Sequence, residues 1–119
     1  MSQVLNLDLL CPWDLAISFG GKSYMTAKPR WADVIELGRI ERQFKSAQAA
    51  SSDEKQAAAM GELEGRLRSG VKLFLASELH SVADGMDYSD LAATFVCCSQ
   101  YFSDWFKKKQ DLARAAAGA

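Results

Sequence analysis

Residues 88–109 read YSDLAATFVCCSQYFSDWFKKK, and this stretch decides the fold. Its large apolar residues recur at steps of four, three, four and three, which is the spacing of one face of an α-helix. The residues of this face are Leu91, Phe95, Cys98, Phe102 and Trp105. Tyr101 and Phe106 widen the apolar stripe. Because no other segment offers so much large apolar area, we predict a helix over residues 89–110 on which other helices pack.

The N-terminal quarter of the chain favours β structure. Residues 4–10 are mostly apolar, which predicts a short strand or an extended arm. Residues 15–19 and 22–26 alternate in polarity and flank the pair Gly20-Gly21. This pattern predicts a β-hairpin with a primed turn, because both glycines can take the positive φ that such a turn requires.

Two more helices are predicted between the hairpin and the aromatic stretch, over residues 30–50 and residues 53–80. Their apolar residues recur at helical spacing. In the first helix these are Val34, Leu37, Ile40, Phe44 and Ala47, and in the second Met60, Leu63, Leu67, Val71, Phe74 and Leu79. Gly61, Gly65 and Gly70 lie inside the second helix. Either another helix approaches closely at these glycines or the helix bends there.

Polar residues mark where the predicted helices begin and end. Ser51 with Glu54 fits a capping box at the start of the second helix. His80 is expected at the C-terminus of that helix, where positive charge is favoured. Asp87 or Ser89 is expected to cap the third helix.

The sequence therefore predicts a mainly α fold, a small helical domain of about three helices with an N-terminal β-hairpin. A single domain over residues 1–119 fits the length of 119 residues. Residues 1–28 form its N-terminal arm and hairpin. Residues 111–119 form an alanine-rich tail with nothing to bury, which we expect to fray.

Composition excludes several functional classes. The net charge of −1 argues against a dedicated nucleic-acid-binding protein, and no stretch is long and apolar enough to span a membrane. Three cysteines, two of them adjacent, make a poor disulfide framework and indicate free thiols in a reducing compartment. We therefore expect a soluble, intracellular protein with no nucleic-acid or membrane partner.

Residues 16–23, AISFGGKS, are a relaxed match to a phosphate-binding loop ending in Lys22 and Ser23. That mechanism needs a helix directly after the loop, whereas the sequence continues as a strand. Nucleotide binding is therefore a minor hypothesis.

The other reactive residues also suggest no chemistry. Asp84, Asp87 and Asp90 lack the ligand spacing of a calcium loop, and Cys97-Cys98 has no second pair to complete a zinc site. His80 has no nucleophile motif with it. We predict no enzymatic activity, no catalytic residue, no cofactor and no metal.

The aromatic residues are the best candidates for function. Trp13, Trp31 and Trp105, with Tyr101 and Phe106, are more aromatic residues than one narrow stripe can hide. A core role and a role in a partner groove or oligomer contact are equally favoured. The predicted contact residues are Phe74, Tyr101, Phe102, Trp105 and Phe106.

The lysine run 107–109 beside them has two interpretations. It is either a contact for nucleic acid or acidic lipid, or a complement to the helix dipole at the third helix's C-terminus. We favour the second interpretation, because the total charge is close to neutral.

Residues 17–37, ISFGGKSYMTAKPRWADVIEL, resemble the opening of tail assembly chaperones of long-tailed, siphovirus-like bacteriophages. Many of these proteins begin with an F-x-G-K-x-Y hairpin, a link that contains proline, and a helix. The resemblance covers the first third of the chain by motif, and the rest by size and helical character.

The resemblance implies a non-enzymatic role in the host cell cytoplasm. Such chaperones bind the tape measure protein, keep it soluble and help to recruit tail tube protein subunits. The alternative is a structural virion subunit, a tail or connector component that stays in the particle. A homo-oligomer is compatible with either role.

Overall fold

The computed structural model describes residues 12–49 and 53–118, with side chains described as far as Ala115. The described chain is mainly helical and begins with a two-stranded antiparallel hairpin. Its elements are β1 (Ala16–Phe19), β2 (Lys22–Met25), α1 (Val34–Gln48), α2 (Asp53–Lys72), α3 (His80–Asp84) and α4 (Tyr88–Gly118). Two 3₁₀ turns precede α1 and α3, at Trp31–Asp33 and Ser77–Leu79.

The structure confirms the predicted hairpin. Gly20 and Gly21 have φ of 61° and 79°, the two positive values that a type I′ turn needs. Phe19 pairs with Lys22 next to the turn, and Ile17 pairs with Tyr24 further along the strands.

The hairpin packs on the helices of its own chain. Ala27 donates a backbone hydrogen bond of 2.6 Å to the carbonyl of Phe74, which follows α2. The side chains that lead into the hairpin and point to one side of it contact the helical core: Trp13, Leu15, Ile17 and Phe19. The hairpin therefore covers one end of the helical layer.

The core lies between three long helices, with α2 contacting both α1 and α4. The aromatic face of α4 supplies Leu91, Phe95 and Cys98, each at most 1% exposed. Gly70 of α2 lies against this face. A Cβ on Gly70 would stand 2.9 Å from a ring carbon of Phe95 and 3.1 Å from Ile40 of α1. At Gly61 and Gly65 a Cβ would meet nothing within 4 Å. Of these three glycines, only Gly70 therefore shows the close approach, which was one of the two alternatives that the sequence left open.

The predicted second helix over residues 53–80 is too long. The backbone hydrogen bonds tighten at its end, where the amides of Leu73 and Phe74 bond to the carbonyls of Gly70 and Val71, three residues earlier. This tightening ends α2 at Lys72, and a separate short helix, α3, follows. The described chain therefore has four α-helices, where about three were predicted.

The correction also moves His80, which begins α3 instead of ending the second helix. Its ring lies 3.2 Å from the carbonyl of Leu75, in the segment that joins the two helices. The guanidinium of Arg68 reaches from α2 across this corner. It donates to the carbonyl of Ala83 in α3 and to that of Met86, two residues after α3 ends.

At the start of α4, the structure selects Asp87 from the two predicted caps, Asp87 and Ser89. The carboxylate of Asp87 accepts a hydrogen bond from the amide of Asp90, and the carboxylate of Asp90 accepts one from the amide of Asp87. At its other end α4 continues to Gly118, eight residues past the predicted boundary, because its alanines are the strongest helix formers. Fraying of this tail stays a prediction. The strand or arm at residues 4–10 and the cap at Ser51 lie outside the described residues.

Candidate functional site

Trp13 is the centre of an aromatic cluster where the hairpin meets α4. Its ring lies edge-on to Tyr101 at 4.7 Å and to Trp105 at 5.7 Å, measured between centroids. It also stacks on Phe74 at 6.4 Å and contacts Phe102 at 6.3 Å. Each ring contact at such a distance stabilises the fold beyond the area that it buries.

Hydrogen bonds fix the position of this tryptophan. The indole N–H of Trp13 donates to the hydroxyl of Thr26 at 3.0 Å, and that hydroxyl donates to the carbonyl of Leu15 at 2.6 Å. The amide of Asp14 donates to the hydroxyl of Tyr101 at 3.1 Å. The segment before β1 is therefore attached both to the hairpin and to α4.

Beside this cluster runs an apolar groove of about 300 Å³ between α4 and the link that joins the hairpin to α1. We call it the aromatic groove. Its lining residues are Lys28, Pro29, Trp31, Phe102, Trp105, Phe106, Lys109, Gln110 and Ala113. Trp31 is 69% exposed and stacks on Phe106 at 5.5 Å, so the groove has an accessible aromatic wall. The volume is at the low end of the range for ligand-binding clefts.

Two lysines converge on one ring in this groove. The ammonium of Lys109 lies 4.7 Å from the centroid of Trp105, and that of Lys28 lies 5.2 Å from it. Both distances are within the range for a cation–π interaction. The groove therefore combines an apolar floor with positive charge from two different elements.

Comparisons of this chain with protein-family models, with curated proteins and with solved structures found no match.

Four of the five predicted contact residues lie together in the middle of α4. Phe102, Trp105 and Phe106 line the aromatic groove, and Tyr101 lies on the neighbouring side of the helix, against Trp13. Phe74 is fully buried beneath Trp13, so it supports the site from below. The Trp105 side chain is 8% exposed and forms the floor of the groove.

Sequence reasoning placed Trp31 among the surplus aromatic residues, but it did not name the residues of the opposite wall as contact residues. Lys28, Pro29 and Trp31 precede α1 by only a few residues and carry no helical or strand periodicity. The available signal was a tryptophan directly after Lys28-Pro29-Arg30 in a link, because a large aromatic residue in a short polar link has no core to enter.

The other candidate residues have structural roles. Lys22 and Ser23 lie in β2, and no helix follows the glycine turn. Asp84 forms a 2.8 Å ion pair with Lys72, whose hydrogen bond and charge lower the pKa of this carboxyl group. Among the described residues, no three histidine, cysteine or acidic side chains cluster as a metal site would require.

Cys98 is buried, which confirms its predicted place in the core, whereas Cys97 is exposed. Burial raises the pKa of the Cys98 thiol to about 12, with a further contribution from Cys97. In residues 12–49 and 53–118, no helix combines the length and the apolar character needed to cross a membrane.

The extended helix changes the interpretation of residues 107–109. Because α4 continues to Gly118, these lysines lie well before its C-terminus and do not complement the dipole there. Lys109 instead lines the aromatic groove, while Lys107 and Lys108 are exposed.

Proposed function

We propose that this protein is a non-enzymatic tail assembly chaperone of a long-tailed bacteriophage. It binds the tape measure protein in the host cytoplasm, keeps it soluble and helps to recruit tail tube subunits. The proposal joins the resemblance of residues 17–37 to that family with one structural observation, the aromatic groove.

The groove supports the proposal because it suits an amphipathic helix. Helix-in-groove recognition needs an apolar trough into which side chains at helical spacing can insert. Phe102, Trp105 and Phe106 form such a trough, and Trp31 with Pro29 closes its other side. Aromatic residues of this kind are enriched among those that contribute most to binding.

A long client compensates for the small contact. One groove of about 300 Å³ gives weak binding by itself. A tape measure protein is a long helical chain, and many chaperone copies along it would protect its apolar stripes collectively. Release of each copy as the tube grows also requires that each single contact be weak.

The test is co-expression with the neighbouring tape measure protein. The wild-type chain should bind that protein in a pull-down and increase its soluble fraction. The double variant Trp31→Ala/Phe106→Ala should fold normally and lose both effects. Val96→Ala is the matched control, because Val96 is 50% exposed on the same helix but does not line the aromatic groove.

Two results would contradict the proposal. One is a wild-type chain that neither binds the tape measure protein nor changes its solubility. The other is stoichiometric recovery of the chain from purified phage particles by mass spectrometry, since a chaperone leaves before the tail is complete. That second result would instead favour a structural subunit.

A further inference from the structure

We infer that the aromatic groove selects an acidic amphipathic helix, whose carboxylates meet Lys28 and Lys109 beside its apolar stripe. The inference rests on the proposed function and deepens it, because it states the chemistry of the client segment. Its basis is the charge of the groove and the length of its floor.

The charge in the groove is positive throughout. Lys28 and Lys109 are its two charged lining residues, and they come from opposite walls, the link and α4. Within the described residues, neither ammonium group lies within ion-pair distance of a carboxylate. Two nearby arginines, in contrast, do form ion pairs: Arg30 pairs with Asp33 at 3.5 Å, and Arg114 pairs with Asp111 at 3.9 Å. The groove is thus locally cationic although the whole chain has a net charge of −1.

The floor of the groove has the length of a short helix. The α4 residues that line it recur at helical steps from Phe102 to Ala113. These twelve residues of helix span roughly 18 Å, which is about three turns. An occupant of the same length presents apolar side chains at positions i, i+3, i+4 and i+7 to this floor. Residues flanking that stripe face the lysines, so acidic residues at those positions complete the charge pairing.

A protein helix fits this site better than nucleic acid or lipid does. Binding to a phosphate backbone or to an anionic membrane relies on an extended basic surface. Here the charge that lines the groove comes from two lysines beside one tryptophan. The accessible aromatic wall is also already stacked, Trp31 on Phe106, which leaves fewer ring faces for bases.

The test uses three synthetic helical peptides that share one stripe of leucine and phenylalanine. Their flanking positions carry glutamate, glutamine or lysine. Binding is measured by fluorescence anisotropy of labelled peptide at about 0.15 M salt, where long-range charge effects are screened. The glutamate peptide should bind about fivefold more tightly than the glutamine peptide, as expected for two partly exposed charge pairs. The lysine peptide should bind most weakly.

Charge-reversal variants locate the preference. Lys28→Glu/Lys109→Glu should reverse the order of the three peptides. Lys107→Glu/Lys108→Glu is the matched control, because it makes the same change of charge at exposed positions outside the groove. It should retain the wild-type order. Circular dichroism of both variants confirms that they are folded.

Several results would overturn the inference. These are equal binding of the three peptides, equal effects of the two double variants, and tighter binding of anionic vesicles or a single-stranded oligonucleotide through Lys28 and Lys109. The outcome is separable from that of the proposed function. If the glutamate peptide is preferred but the tape measure protein is not bound, the proposed function fails, while the inference about the chemistry of the groove is supported. If the tape measure protein binds the groove without charge preference, only the inference fails.

Discussion

At the scale of single residues, Gly70 is required by packing and not by backbone conformation. Its missing Cβ leaves room for the ring of Phe95 and the end of Ile40, both buried. Gly70→Ala should therefore lower the free energy of unfolding by about 1–3 kcal/mol, because a buried ring has little room to move. This loss exceeds the roughly 1 kcal/mol that alanine contributes through helix propensity. Urea unfolding followed by circular dichroism measures the change.

Gly65 provides the matched control for Gly70. It lies in the same helix, and a Cβ there would meet nothing within 4 Å. Gly65→Ala should raise the free energy of unfolding by about 0.5–1 kcal/mol through helix propensity alone. Equal effects of the two substitutions would show that the close approach at Gly70 does not limit packing.

Cys98 makes stability depend on pH in the alkaline range. The unfolded thiol ionises near its ordinary pKa of 9.0, whereas burial raises the pKa of the folded thiol to about 12. Above pH 9.0 the unfolded chain releases the proton and the folded chain retains it, so the free energy of unfolding falls as the pH rises towards about 12. Below pH 9.0 the contribution is fully present.

The comparison that isolates this thiol is wild type against Cys98→Ala, in reducing buffer, at about pH 8 and about pH 10.5. The variant is less stable at both values because it leaves a cavity. Between these two pH values, the free energy of unfolding of the variant should nevertheless fall by less than that of the wild type. Burial also raises the pKa of Tyr88, which acts in the same direction in both proteins and cancels. Identical pH dependence in the two proteins would refute the role of Cys98.

At the scale of elements, the length of the second helix was the principal error. The apolar residues named for this helix keep helical spacing as far as Phe74, and the prediction extended the helix to residue 80 although Leu79 lies five positions further on. The structure ends α2 at Lys72, and the carbonyl of Phe74 then accepts the hydrogen bond from Ala27. That partner is 47 positions earlier in the sequence, and no local pattern could indicate it. The hairpin, whose signal is local, was predicted correctly.

The capping pair of α4 is an element-scale feature that can be tested directly. Asp87 and Asp90 satisfy each other's backbone amides at the first turn of this long helix. Asp87→Ala should lower the free energy of unfolding by about 1 kcal/mol. Asp104→Ala is the control, since Asp104 is exposed in mid-helix and accepts a hydrogen bond from Gln100. If thermal unfolding shows the same effect for both, the capping interaction is not stabilising.

At the scale of the whole molecule, the α4 side of the candidate site could be predicted from the sequence, whereas the opposite wall could not. Phe102, Trp105 and Phe106 follow from the helical stripe of residues 88–109. The opposite wall comes from Lys28 and Trp31, about 75 positions away in sequence, and only the docking of the hairpin on α4 brings the two together. Trp13 organises that docking, yet its sequence context, a link after a proline, carries no periodic signal.

The same geometry separates folding from binding at two tryptophans of the groove, one on its floor and one on its wall. Trp105 is 8% exposed and contacts Trp13, whereas Trp31 is 69% exposed and stacks on Phe106. Trp105→Ala should lower the free energy of unfolding by about 3–5 kcal/mol, a large share of the stability of a small domain. Trp31→Ala removes a ring contact worth about 1 kcal/mol and should remain folded.

Urea unfolding and peptide binding, measured on the same samples, distinguish these roles. Trp31→Ala should unfold close to the wild-type midpoint yet bind the glutamate peptide more weakly, because the groove has lost one wall. Trp105→Ala should lower the free energy of unfolding, and any loss of peptide binding should be no larger than the fraction of the variant that is unfolded. A stable Trp105→Ala variant would mean that this side chain is not part of the core. Wild-type binding by Trp31→Ala would remove the link from the site and leave α4 alone to receive the partner.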